Sequence, residues 1–530
     1  MSQTSQTRTQ NPLSLHEQFG WLDLGDDRSV NRAATAPEPE RDVAALVGDE
    51  DADATDSEGI TRLMRAALSS DVNLATALLD RGAAINKTSS SRRSAWIQAG
   101  KTANATFIHL LHSRGANMRE QTEKGWTALH HAVQNENREA IGALIDIDSA
   151  LLKMANSDGM TPLVVAVDSN RSIATIKLLV EAGAPLNPSD NNGRDVLGVA
   201  AKVGRAKVIA FLVKSGAAIS TMDKNGWSAI HYAAAYNQTS AIKQLLKLRS
   251  GVGYRTMNGL TPLDVAIKHG SKEAAALLSG NQATVVDQTD PSGVTPLHTA
   301  ITNRQLDMID LLLSKGTNIN AIPKNPSGLP ALHLAVSRNQ GDIVSKLLDC
   351  RAQINLKNGS GQTALHVAIR YNSTDALVIL LRRGASLCEK DAEGFTALHT
   401  LTGMQYSAPI VDALRPYLNS SNLECRDNKS LTPLIRAAAT NNTGIVSMLV
   451  KAGADLNAKA ASGWSATHWA LHHNNQTMLI LLAKDSNKIM KDPSLYDRKM
   501  KVLGGGGFVE KDPDDRQRMR FEVYGAPGFG

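Results

Sequence analysis

His468 and His472 stand four residues apart, a spacing that puts two imidazoles on one face of a helix, as a zinc site would need. Metal-assisted hydrolysis would also need a glutamate between them, in the pattern H-E-x-x-H, but Trp469, Ala470 and Leu471 fill the interval. The chain has fourteen histidines, enough to imitate a metal or catalytic set. Seven of them (His130, His231, His298, His333, His366, His399 and His468) recur at one offset within a repeated phrase. Cys350, Cys388 and Cys425 are far apart in sequence and suggest neither a zinc set nor a disulfide framework. Cys350 falls at the end of an expected outer helix and reads as a packing residue. No G-x-S-x-G elbow, kinase set, Walker loop or dinucleotide fingerprint is present, and no Lys-Ser or Lys-Thr follows the glycine run 504–507. Catalysis, a metal, a cofactor and a small-molecule substrate are therefore not expected.

Composition narrows the class further. At 530 residues the chain exceeds one ordinary core, so it is either several domains or one long array. Aromatic residues are only 4%, which suits thin layers of small helices better than a thick enzyme interior. The net charge is +6, from 57 basic against 51 acidic residues, and no run of Lys and Arg marks a nucleic-acid face. No stretch approaches the ~18 apolar residues of a membrane span. Few cysteines and a polar start without an apolar core segment point to a reducing intracellular compartment, cytoplasm or nucleus. The sequons at Asn104 and Asn372 then read as accidental.

The positioning elements come from a repeat. One phrase, Gly-x-Thr/Ser-Pro/Ala-Leu-His-x-Ala, returns as GWTALHHA from Gly125, GMTPLVVA from Gly159, GWSAIHYA from Gly226 and GLTPLDVA from Gly259. It continues as GVTPLHTA from Gly293, GLPALHLA from Gly328, GQTALHVA from Gly361, GFTALHTL from Gly394 and GWSATHWA from Gly463. Weaker copies start at Gly59, Gly193 and Ser430. The glycines at 125, 159, 193, 226, 259, 293, 328, 361 and 394 are spaced by 33 to 35 residues. A second phrase follows in fixed phase, as in Leu178–Asn187 and Leu311–Asn320. Each feature has a physical use. Gly125 allows positive φ in a tight turn, Thr127 caps the helix that follows, and Pro at the next position fits a first helical turn. Leu and Ala at helical spacing face the neighbouring copy, and the glycine of the second phrase ends an outer helix.

In period and phrase the sequence resembles the ankyrin repeat family over residues 56–490. The resemblance implies an all-α solenoid of twelve or thirteen helix pairs with protruding β-hairpin fingers. It also implies that the phased histidines hydrogen-bond the turns and stiffen the stack. Residues 1–55, polar then acidic, are expected to be disordered, with a short patch at Ser14–Leu22 able to cap the first repeat. Residues 491–530 are expected to form a flexible tail. The array departs from its pattern near 87–104 and near 402–428, where Pro409 and Pro416 are expected to bend or interrupt it.

The same resemblance implies a binding role, with partners meeting the fingers and the exposed ends of the inner helices. The residue after the leading glycine is Trp126, Trp227, Phe395 or Trp464 in four copies. Such rings suit a binding hot spot and equally suit packing on the next finger. The ninth and tenth positions carry Tyr236, Lys268, Arg338, Arg370 and Tyr371. Arg338, Arg370 and Tyr371 fall in consecutive copies and form a basic-aromatic strip, either a recognition surface for an acidic segment or a solvated ridge. Asn86, Asn187, Asn320, Asn355 and Asn457 occupy a position that resembles one hydroxylated in some ankyrin proteins, and a role in the hairpin also accounts for them. The expected function is a scaffold or adaptor binding other proteins. The alternative is a sensor or targeting subunit of a larger signalling or ubiquitin-ligase assembly.

Overall fold

The computed structural model describes residues 51–483, apart from 282, 283, 285, 326, 327, 405 and 406. The Ser14–Leu22 patch, most of the acidic segment 1–55, the array's last residues 484–490 and the tail 491–530 lie outside the described residues. Among the described residues, thirteen inner helices follow one another and number the repeats from 1 to 13. They are Arg62–Ser69, Ala95–Thr102, Ala128–Gln134, Pro162–Asp168, Val196–Val203, Ala229–Ala235 and Pro262–Lys268, then Pro296–Thr302, Ala331–Ser337, Ala364–Arg370, Ala397–Thr402, Pro433–Ala439 and Ala466–His472. Each is followed by an antiparallel outer helix, such as Arg138–Ile147 or Ile173–Glu181.

Local chemistry sets these boundaries. Thr127 has extended backbone angles and accepts a hydrogen bond from His130 N, which satisfies one orphan donor of the new helix. Pro162, Pro262, Pro296 and Pro433 each sit at the first position of an inner helix. The outer helix Ile173–Glu181 ends at Gly183, whose φ is 89°. There Gly183 N donates to Val180 O and Ala184 N to Leu179 O, a paired termination that removes two unsatisfied carbonyls.

Packing makes these short helices stable. Every inner helix packs on the inner helix of the next repeat, without a gap from repeat 1 to repeat 13. Ala132, Ala166, Ala200, Ala233, Ala266, Ala300, Ala335 and Ala368, one per repeat, have no exposed surface. A small side chain at this position lets successive backbones approach closely. No seven-residue helix would hold alone, so its stability is that of its interfaces.

The structure departs from the sequence reading in three places. The fingers are not β-hairpins in the strict sense: no strand occurs among the described residues, only isolated bridges such as Ser189 with Asp195. A finger closes on two backbone bonds, Asn156 N to Met160 O and Gly159 N to Asn156 O, too few for a ladder. It gains a third from its neighbour, Ser157 N to Lys124 O at 3.0 Å. Second, the prolines of repeat 11, expected to bend or interrupt the array, sit within regular local structure. Pro409 lies in the first turn of the helix Ala408–Leu414, and Pro416 in the 3-10 turn Arg415–Tyr417 that follows it. Third, Cys350 caps the C-terminus of Gly341–Asp349 and is exposed, so it is not a packing residue. At 87–104, Arg92 takes the positive φ, 52°, that glycine takes elsewhere, and Ser94 caps Ala95–Thr102.

Candidate functional site

The phased histidines occupy the third position of their helices. His130 Nδ1 accepts from the backbone N–H of Thr127 at 3.2 Å, and its Nε2 lies 3.0 Å from Met160 O in the next repeat. A backbone N–H can only donate and a carbonyl can only accept. The ring is therefore neutral, with its proton on Nε2. His231, His298, His366 and His399 repeat both contacts, reaching Leu260 O, Leu329 O, Phe395 O and Leu431 O. Burial, the largest influence, holds His130, His231, His298, His333 and His399 down to about 4. A neutral imidazole spent on two backbone partners is a structural strut and is not available as a base.

The ladder has two incomplete rungs. At His333 the capping residue is Pro330, which has no N–H, so Nδ1 is buried without a partner while Nε2 donates to Gln362 O. His468 has the Ser465 contact at 3.2 Å and no forward carbonyl among the described residues. In repeat 7 the position is Asp264, whose carboxylate accepts from Thr261 N at 2.9 Å and is raised by burial above the ordinary carboxylate value. It ties the turn within its own repeat and cannot donate forward.

A second set of cross-repeat bonds is carried by asparagines. Asn86, Asn187, Asn320 and Asn355 accept from Asn117 N, Ala218 N, Gln353 N and Ser386 N, each one repeat further on. The amide oxygen of Asn457 has no such partner among the described residues.

The four rings after the leading glycine are half-buried and packed. Trp126 lies 5.2 Å from the His131 ring, and Trp227 lies 5.2 Å from Tyr232 and 6.0 Å from His269 of the next repeat. The Phe395 ring sits under the Arg436 guanidinium at 3.8 Å. Trp464 packs against Trp469 at 4.8 Å. Their edges line the finger side, and much of their surface is committed to the stack.

The strip is different. The side chains of Arg338 and Arg370 are exposed and make no hydrogen bond or ion pair among the described residues, and Tyr371 is 58% exposed. Tyr236, 37% exposed, lies under Lys202 Nζ at 5.8 Å, and Lys268 is exposed. These two belong to repeats 6 and 7, and Thr302 and Asn303 of repeat 8 separate them from the strip. Sequence reading missed a further basic feature. Four residues before the turn residue at positive φ stand Lys324, Lys357, Lys390, Arg426 and Lys459 in repeats 9 to 13, all exposed. Repeats 1 to 6 have no basic residue there. The signal was present in the register but invisible as a run, because 33 to 36 residues separate successive members.

Among the described residues, no three His, Cys, Asp or Glu side chains form a group able to hold a metal. No helix there is long and apolar enough to cross a membrane.

The family model for ankyrin repeats matches residues 96–190, 172–256, 197–290, 248–323, 332–414 and 402–492. The chain is 41% identical over 73 residues to human neurogenic locus notch homolog protein 2, covering 14% of this chain and 3% of that one. It is 36% identical over 93 residues to mouse inversin, covering 18% and 9%. The chain thus spans less than a tenth of either relative. The crystal structure of the ankyrin repeat domain of Bcl-3, described as a unique member of the IkappaB protein family, is 31% identical, with a TM-score of 0.38, covering 42% of this chain and 99% of that one.

Proposed function

The chain belongs to the ankyrin repeat family, whose repeats are protein-interaction modules, and from that premise we propose that it is a non-catalytic scaffold or adaptor. Its partner presents an acidic segment to the fingers and inner-helix ends of repeats 9 to 13. The observation that carries this reading is the unpaired state of Arg338 and Arg370 beside exposed Tyr371. On the outer helices the charges are matched between repeats: Arg114 with Asp80 at 2.7 Å, Lys346 with Asp310 at 2.5 Å, Arg383 with Asp349 at 2.7 Å. The strip lacks such matching, and the Lys324–Lys459 column extends the same sign along neighbouring fingers. Complementary charge would give a partner its orientation and association rate more than its affinity. Trp126, Trp227, Tyr236, Lys268, Phe395 and Trp464 supply secondary contacts in this reading, which includes an intracellular location, cytoplasm or nucleus.

The test is affinity capture from the native cell, comparing the wild-type chain with an Arg338→Ala, Arg370→Ala, Tyr371→Ala variant of unchanged circular dichroism. A co-purifying protein lost with the variant, bound more weakly at higher salt and carrying an acidic segment, supports the reading. Retention of the same partners by the variant removes the strip from the function. Absence of any specific partner for either chain removes the scaffold.

A further inference from the structure

The fold brings together two thiols that are 37 residues apart in sequence. Cys388 stands ahead of the finger of repeat 11, and Cys425 ahead of the finger of repeat 12, just after the short helix Ser420–Leu423. Both sulfurs point at one backbone oxygen, Ser421 O, at 3.9 Å from Cys388 Sγ and 3.3 Å from Cys425 Sγ. The shared acceptor places the two thiols side by side. Cys388 is exposed and Cys425 half-buried. Cys388 lines a cleft of about 270 Å³ with Tyr417, Asn419, Ser421 and Asn422, all from the insertion particular to repeat 11. That insertion lies between the two cysteines and supplies Ser421, whose backbone oxygen both thiols face.

We propose that Cys388 and Cys425 form an oxidisable dithiol, which a hydroperoxide converts to an intramolecular disulfide spanning repeat 11. Exposed Cys388 meets the oxidant first. Its thiolate attacks the peroxide oxygen, the O–O bond breaks, and Cys388 becomes a sulfenic acid while one water (or alcohol) leaves with the thiol proton. The Cys425 sulfur then attacks the sulfenic sulfur. The S–OH bond breaks, the S–S bond forms, and the departing hydroxide takes the Cys425 proton as a second water. The two thiols lose two electrons in all and the peroxide gains them. Burial first, and then the neighbouring Cys388 thiol, push the Cys425 thiol up to about 12, so it reacts as the resolving partner and not as the first nucleophile. The bridge would close a loop containing both helices of repeat 11 and tie adjacent fingers together.

Cys350 is the internal control, because it is exposed and has no cysteine neighbour among the described residues. The full chain is treated with hydrogen peroxide at neutral pH, quenched by alkylation and mapped by mass spectrometry without reduction. The expected result is a Cys388–Cys425 linked peptide, lighter by two hydrogens and restored by a reductant, while Cys350 remains alkylated. Proteolytic cleavage within residues 403–424 should slow about tenfold in the oxidised chain. Cys388→Ser should leave Cys425 unoxidised, and Cys425→Ser should leave Cys388 as a singly oxidised thiol, both with wild-type circular dichroism. Three outcomes overturn the proposal: Cys388 carried on to sulfinic acid beside a free Cys425, a bridge between two chains in place of one within a chain, or equally fast oxidation of Cys425 in Cys388→Ser.

Discussion

Nε2 of His130 donates across the repeat boundary to the carbonyl oxygen of Met160, 3.0 Å away, while Nδ1 of the same ring holds the backbone N–H of Thr127. One side chain thus closes the turn of its own repeat and fastens the finger of the next.

Removing such a strut leaves the buried Thr127 N–H without its acceptor and leaves Met160 O with only the Asn156 N–H. His130→Ala is expected to lower stability by about 2–3 kcal/mol, read as a shift of the urea midpoint. His333→Ala should cost less, since its Nδ1 has no partner to lose. The reverse change is also informative. Pro330→Thr would supply a capping hydroxyl and an N–H for His333, and should stabilise the chain by about 1 kcal/mol. An equal loss at 130 and 333 would refute the tautomer assignment.

Acid should weaken the stack. Five histidines are held to about 4 by burial against 6.5 for a free imidazole, so the unfolded chain binds more protons between those values. Their stabilisation is fully present above pH 6.5 and is lost as pH falls toward 4, by at most ~1.4 kcal/mol per pH unit for each ring. Asp195 and Asp264, raised by burial, act in the opposite direction because the folded chain takes their protons more readily. Denaturant titrations at pH 7.5, 6 and 5 should show a falling midpoint. A flat profile would mean that the rings titrate normally.

Gly125 should tolerate no side chain. Its φ is 72°, and a Cβ there would come within 2.6 Å of Ser157 N in the adjoining finger. Gly125→Ala therefore combines left-handed strain with a backbone clash, and a loss of about 2–4 kcal/mol is expected in thermal or chemical unfolding. Gly183→Ala meets nothing within 4 Å, so only the strain term applies, roughly 1 kcal/mol. Similar losses at both sites would remove the clash from the account.

Phe395 should act on stability before it acts on binding. Its ring supports the Arg436 guanidinium, which also faces buried Asp427 at 3.8 Å. Phe395→Ala is expected to cost about 2–3 kcal/mol, whereas Phe395→Tyr should be nearly neutral. Arg338→Ala should change stability by less than ~0.5 kcal/mol, as an exposed side chain without a partner does. Equal stability effects at 395 and 338 would contradict the packing described.

Much of this architecture was legible in the chain. Gly125, Thr127, His130 and the paired leucines of the second phrase are local signals, read within one turn or one helix. The forward partner of each histidine could not be read, because Met160 offers only its backbone oxygen and any residue would offer the same. Arg92 in place of a leading glycine kept the turn while breaking the phrase, and Asp264 in place of a histidine kept the turn but not the forward bond. The basic column from Lys324 to Lys459 escaped notice because no two members are near neighbours in sequence.

What the sequence alone determined is periodic: the helix pair, its caps and the family, since each depends on contacts a few residues apart and is repeated often enough to outweigh drift. What only the tertiary structure decided is lateral. Stacking sets a residue beside its counterpart about 33 residues on, and across the longer repeat 11 it brings Cys388 and Cys425 to one backbone oxygen, that of Ser421. It also left Arg338 and Arg370 without an ion pair among the described residues while pairing charges of the outer helices. Such meetings depend on how one repeat sits on the next, a geometry set by the summed packing of all the helices and written at no single position.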